Sequence, residues 1–474
     1  MSLIYNATFD KNTRKLSFED KAGNEIYSFT VPEREKDDIT KPLTFKATQN
    51  GSSVTLTKQG TPSGSFQTSR DGGNTWADYT INTAIALNTG DEVSFRAKSD
   101  RTSAQTFQFY FQFEMTGKIE AWHNVMSLYR TNDFATYNTV VDSAFRNLFY
   151  NCTSLTKAPA LPATTLADTC YCYMFRNCTS LTKAPALPAT ALRDYCYRGM
   201  FEGCASLTEA PVLPATTLVD YCYSSMFKGC TSLTKAPVLP ATTFAIFCYE
   251  YMFEDCTSLT EAPVLPATTL AVRCYQSMFR GCTSLTKAPA LPATTLAIYC
   301  YQSMFSGCRS LTEAPELPAT TLTNNCYQSM FYGCTSLTKA PELPATTLAD
   351  DCYYGMFKGC TSLAKAPELP VTTLAHGCYN TMFSGCRSLT EAPELPATTL
   401  AIYCYQSMFY GCSNLKEVRI SATTTAKNAL ADWLSGVSAT GDFYCDPNAT
   451  IFPTGASGIP ANWTRHALAD YPTT

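Results

Sequence analysis

The sequence predicts an α/β solenoid, with short parallel strands on one side and helices on the convex side, preceded by all-β modules. Three observations carry that expectation. A 26-residue unit, written most clearly as CYQSMFYGCTSLTKAPELPATTLADD (326–351), recurs from about residue 144 to 415 without insertion or deletion. Its cysteines fall on two rulers, one from Cys152 to Cys412 and one from Cys170 to Cys404, each stepping by 26 residues. A fixed period of this size marks an architecture in which each repeat packs on its neighbours. Ahead of the repeats, the chain alternates apolar and polar residues as strands do.

Taken in order, residues 1–38 read as a small β element and linker. Leu3, Tyr5 and Phe9, then Leu16 and Phe18, then Ile26 and Phe29 alternate, and the charged run EREKDD follows. Residues 39–119 read as a β-sandwich module of immunoglobulin-like type. LTFKA, SVTLTK, SFQTS, EVSFRAK and TFQFYFQFEM are separated by turn-forming stretches, and Phe107, Phe109, Phe111 and Phe113 share one strand face. Within this module SRDGGNTW (69–76) resembles the Asp-box of sialidases, whose chemistry is structural: the acid and glycines close a hairpin turn and Trp76 packs beneath it. Residues 120–150 read as an N-terminal cap, 151–415 as the repeats, and 416–474, with Trp433, Phe443 and Trp463, as a C-terminal cap.

Inside the repeat, stepping about 100° per residue from Leu348 puts the fixed apolar positions Cys352, Met356, Cys360, Tyr353 and Phe357 on one half of a helix. The positions that differ between copies, Asp350, Asp351, Tyr354, Gly355 and Lys358, fall on the other half. This spacing predicts a helix over 348–358, with Thr347 as N-cap. The residue before each first-series cysteine is Gly, Asn or Asp, as a left-handed cap requires. The following SLTKAPELP predicts a strand of three or four residues around 337–340, kept short by Pro341 and Pro344.

Both cysteine series then lie on the buried face beside Leu and Met, where free cysteine acts as a small hydrophobe. Equivalent cysteines of adjacent repeats point in parallel, a poor geometry for a disulfide. A reduced core ladder is the expectation, with some disulfides or a metal site as the alternatives.

Composition narrows the functional classes. A net charge of −4 with no basic cluster argues against nucleic acid. No apolar run approaches the roughly 18 residues of a membrane span. The start MSLIYNATFDKNTRK shows no signal peptide. Only His123, His376 and His466 are present, none in a recurring polar constellation, and no phosphate-cradling glycine loop occurs. No catalytic residue, cofactor or metal ligand is therefore assigned.

At this point the motif MFxGCTSLTxxPxLP identifies a family. It resembles the BspA-like leucine-rich repeat, also described as the bacterial surface protein 26-residue repeat, over roughly residues 140–420. The segments 41–130 and 431–464 look like modules attached to such repeats in gut Bacteroidetes and their phages. The resemblance implies a leucine-rich-repeat solenoid on a cell or virion surface. It further implies adhesion to a protein or glycan of a cell surface, or to virion partners.

Columns that vary between repeats mark where a partner would touch. One holds lysine or glutamate, from Lys157 to Glu391, and reads as a structural charge ladder of mixed sign. The next runs Ala160, Ala186, Val212, Val238, Val264 and Ala290, then Glu316, Glu342, Glu368 and Glu394. Like charges about 4.8 Å apart repel by roughly 0.9 kcal/mol per adjacent pair in water, which a cation or basic partner would relieve. A third, expected on the convex side, holds Tyr195, Tyr221, Phe247, Tyr299 and Tyr403. The leading reading is a non-enzymatic recognition or adhesion protein. A phage or prophage virion component anchored by its N-terminal β unit is the alternative, and a glycan-active enzyme resting on one Asp-box a remote one.

Overall fold

The computed structural model describes the backbone at residues 6–10, 15–19 and 25–30, and the chain in full at 37–101 and 110–471. The strand positions Leu3 and Tyr5, most of the EREKDD run, and Phe107 and Phe109 lie outside the described residues. The chain divides into two compact units, Met1–Asp38 and Ile39–Thr474.

The first unit is an antiparallel meander of β1 (Asn6–Asp10), β2 (Lys15–Glu19) and β3 (Glu25–Thr30).

The second unit begins with β4 (Thr44–Ala47), β5 (Ser52–Gln59), β6 (Phe66–Ser69), β7 (Ala77–Tyr79), β8 (Ile85–Leu87), β9 (Glu92–Ala97), β10 (Tyr110–Thr116) and β11 (Ile119–Trp122). Three of these form a sheet in the order β10-β5-β8. The others join β12 (Leu155–Lys157), from the first repeat, in the order β12-β11-β4-β9-β6-β7. Phe45, Phe95, Phe111 and Phe113 are buried between them, with Phe45 and Phe113 edge-to-face at 4.6 Å. The SRDGGNTW turn joins β6 to β7 as a hairpin. Asp71 accepts from Thr75 N at 2.9 Å and Thr75 Oγ1 at 2.6 Å, while Trp76 Nε1 donates to Gly73 O at 2.9 Å. The Ser69 hydroxyl, donating to the same carboxylate at 2.6 Å, and the two Thr75 donors hold Asp71 far below the usual carboxylate range. The group is spent on the turn.

The repeats depart from the sequence-based expectation. No α-helix forms over 348–358 or over any equivalent stretch among the described residues, where the only helical pieces are 3-10 turns at Val125–Leu128 and Leu468–Asp470. Backbone hydrogen bonds show why. Tyr354, Met356 and Lys358 each donate back three residues, to Asp351, Tyr353 and Gly355 at 3.1 Å, closing consecutive tight turns. The alternate amides leave the repeat altogether. Tyr353 N donates to Cys378 O at 3.1 Å, Gly355 N to Asn380 O at 2.8 Å and Phe357 N to Met382 O at 2.9 Å. Every fourth residue is left-handed, with φ of 51° at Asp351, 59° at Gly355 and 76° at Gly359. An α-helix needs every amide within its own segment and no such residue.

Nor does each repeat carry a strand. Neighbours meet there at single parallel bridges, such as Lys183↔Glu209 and Glu313↔Lys339, while Thr347, expected as an N-cap, bridges Thr321. The sheets are small, and a helix-backed solenoid with a strand face is not what the sequence builds.

Close spacing explains the choice. Phe305 and Phe331 stack with centroids 5.6 Å apart and planes within 7°, as does the Phe column from Phe149 to Phe409, and a parallel Tyr column runs from Tyr171 to Tyr405. Side-by-side helices need about 8–10 Å. Turns that hand alternate hydrogen bonds to the next repeat fit the smaller step and still satisfy the backbone.

Both ends of the aromatic ladder are closed by other elements. Phe113 of β10 stacks on Phe149 at 5.5 Å, and Phe113 O accepts from Cys152 Sγ at 3.0 Å. At the far end Trp433 covers Phe409, with its Nε1 donating to Gly458 O at 3.0 Å. Beyond it β13 (Glu417–Arg419), β14 (Gly441–Cys445) and β15 (Trp463–Ala467) form a parallel sheet.

Candidate functional site

The segment Ala-Pro-x-Leu-Pro sets the first candidate surface. Its leucine turns inward, as at Leu213, Leu239, Leu265, Leu317 and Leu369, all at most 3% exposed, so the residue before it faces out. Val212, Val238 and Val264 are 77%, 78% and 79% exposed, the highest values among the exposed large hydrophobic side chains. Glu316, Glu342, Glu368 and Glu394 continue the same column and are all exposed. Glu394 meets Arg419 Nη2 at 2.8 Å. Among the described residues no ion pair forms at Glu316, Glu342 or Glu368. Clefts of about 490 Å³ open between successive proline segments here, one of them lined by Lys365, Pro367, Glu368, Pro393 and Glu394. In the neighbouring lysine–glutamate column Lys183 Nζ meets Glu209 Oε2 at 2.7 Å.

The aromatic column is arranged differently from a free binding platform. Tyr195, Tyr221 and Phe247 are brought together, with centroids 4.5 Å and 4.3 Å apart and planes within 10°. Arg198 lies over Tyr195 and Tyr221, and Arg273 bridges Phe247 and Tyr299 at 5.3 Å and 4.6 Å. Tyr403 stands apart, edge-on to His376 at 5.4 Å. All five rings are half-buried at left-handed positions, φ 54° to 59°. The faces of Tyr195, Tyr221, Phe247 and Tyr299 are partly occupied by one another and by guanidinium groups.

A polar cluster beside these rings was missed by the helical reading, which placed its residues on a solvent face. Arg176, Glu202, Lys228, Glu254 and Arg280 alternate in sign along one column, with Arg176–Glu202 at 3.0 Å and Glu254 meeting Lys228 at 2.6 Å and Arg280 at 3.4 Å. Glu250 and Glu254 are only 6% and 5% exposed. Burial pushes the Glu250 carboxyl up to about 7, with Arg273 and Arg198 pulling it partly back. The alternating signs at a 26-residue step were visible in the sequence and are the signal that would have found it.

All 23 cysteines are free and buried. The first series does more than fill space: Cys282 Sγ donates to Phe253 O at 3.1 Å, Cys308 to Phe279 O at 3.1 Å and Cys334 to Phe305 O at 3.1 Å. Burial raises these thiols, Cys334 to about 12, so they are held as inert S–H donors. Among the described residues no group of three or more His, Cys, Asp or Glu side chains is placed to hold a metal ion. No helix among them is long and apolar enough to cross a membrane.

The family model described as BspA type Leucine rich repeat region matches in six copies, over residues 138–286, 249–366 and 331–433. No curated protein and no solved structure matches the chain. These matches together run across residues 138–433, more than half of the sequence and all of its stacked turns, and the chain belongs to the BspA-type leucine-rich-repeat family.

Proposed function

We propose that the protein is a non-enzymatic recognition protein acting at a cell or particle surface, with the outward column of the proline segments as its contact face. Family membership supports a surface or protein-binding role. The observation that carries the proposal is the exposure of Val212, Val238 and Val264, near 78% each. Large aliphatic side chains left in water in a continuous row are a mark of an interaction surface. The acidic second half of the row adds orientation, since opposite charge on a partner steers and aligns it.

Binding of the purified chain to a panel of cell-surface proteins and glycans tests this. Retention that falls at least tenfold when Val212, Val238 and Val264 are changed to Thr and Glu316, Glu342 and Glu368 to Gln is the expected result. Retention untouched by those changes would contradict it.

A second reading, a virion component, draws on Met1–Asp38, which forms its own compact unit and is available as an anchor. Co-sedimentation of the full chain with phage particles, lost when residues 1–38 are removed, is its test.

A further inference from the structure

We propose that the outward proline column receives an α-helix of a partner protein, one helical turn per repeat, with aliphatic residues along one half and arginines along the other. The inference rests on the recognition reading above and names the chemistry of its partner.

The column changes character once along its length: Ala160, Ala186, Val212, Val238, Val264 and Ala290 are aliphatic, and Glu316, Glu342, Glu368 and Glu394 are acidic. Neither half is asked for by the fold. The same place is filled by alanine in three copies, so packing does not require valine, and adjacent carboxylates repel. The buried leucine next in sequence does the structural work. What the two halves share, from Ala186 on, is exposure and a register marked by single backbone bridges at the flanking Lys/Glu position, such as Lys183↔Glu209 and Glu313↔Lys339.

The chain itself shows how a basic side chain seats on the acidic half. Arg419 occupies the next place in the column and reaches back to Glu394, Nη2 to Oε1 at 2.8 Å. Glu342, Glu368 and Glu394 line the adjoining clefts, which leave room for further guanidinium groups between the prolines.

Spacing selects a helix. Bridged backbones of neighbouring repeats lie about 4.8 Å apart. A helix advances about 5.4 Å per turn, so side chains at i, i+4, i+7 and i+11 slip by only about 0.6 Å per repeat against this step, about 1.8 Å over four repeats. An extended chain presents same-face side chains every 6.6–6.8 Å or so and falls out of register within two or three repeats. Long, flexible arginine side chains absorb the smaller mismatch.

The test uses the full chain and a synthetic helical peptide carrying leucine once per turn over its first half and arginine once per turn over its second. Its control has the same composition with the two residue types interleaved. Fluorescence anisotropy at low salt is expected to show binding of the ordered peptide at least tenfold tighter than of the interleaved one. That preference is expected to be lost in the Glu316→Gln, Glu342→Gln, Glu368→Gln variant and, separately, in the Val212→Thr, Val238→Thr, Val264→Thr variant. Equal binding of the two peptides, or no binding of either, overturns the proposal. So does sedimentation showing the column occupied by a second copy of the chain. If the surface panel still depends on the column while the ordered peptide fails, recognition stands and the helical partner falls.

Discussion

At the residue scale, two buried groups make checkable statements. The first-series cysteines donate to phenylalanine carbonyls from a dry interior, which leaves them reduced and unreactive while the fold holds. Thiol titration without reductant is expected to count 23 free thiols in denaturant and to proceed much more slowly on the native protein. A count well below that would place disulfides in the ladder. Glu250 sets a pH dependence whose sign is fixed by its environment. Its folded carboxyl holds a proton up to about 7, against an ordinary value near 4.5, so the folded state binds more protons between those values. Stability is then fullest below pH 4.5 and declines as pH rises through 7. Glu250→Gln is expected to flatten that decline and to raise stability at pH 8 by on the order of 1–3 kcal/mol. The next residue in its column, Gln276, has a buried side-chain oxygen without a hydrogen-bond partner, and beyond it Gln302 Nε2 donates to Gln328 Oε1 at 2.5 Å, so a glutamine at 250 extends an amide row already present. A steeper pH dependence in the variant would contradict this account.

At the element scale, the turn ladder replaces the expected helix, and the reason is instructive. Cys352, Met356 and Cys360 recur every four residues, and a period of four is too close to 3.6 for an angular reading over eleven positions to separate. The left-handed column before each first-series cysteine was legible, and φ is positive from Asn151 to Gly411. What was not used is that Ser or Gly recurs four residues earlier in most copies, as at Ser303, Ser329 and Gly355, all left-handed. The alternation of the β module, the hairpin role of Asp71 and the buried cysteines were all readable from local chemistry. The helix was misread because the decisive hydrogen bonds run between repeats and leave no trace within one. Far-UV circular dichroism is expected to lack the paired minima of helix, and a strong helical signal would refute the turn ladder. Phe305→Ala, which removes one ring from between Phe279 and Phe331, is expected to cost about 3–5 kcal/mol by denaturant unfolding. A loss under 1 kcal/mol would mean the stacked column contributes little.

For the whole second unit, fixed columns hold and variable columns present. Leucine, cysteine, methionine, tyrosine and phenylalanine from each repeat form one continuous interior from the β module to Trp433. With both ends of its aromatic ladder covered, by Phe113 and by Trp433, the surface left for a partner is lateral. Of the lateral columns singled out in the sequence, the tyrosine row is half-buried and partly covered by its own arginines, whereas the proline-segment row stands in water from Ala186 to Glu394. The position of that row was readable in the sequence; its isolation from the rest of the surface was not, because it depends on which neighbours the turns cover. The most direct test is photocrosslinking from single sites on the intact protein, incubated with cells or particles that retain it. A photoreactive residue in place of Val238 is expected to capture the partner, and one in place of Ile298, exposed at 43% next to the tyrosine row, is not. Capture from position 298 and none from 238 would contradict the account.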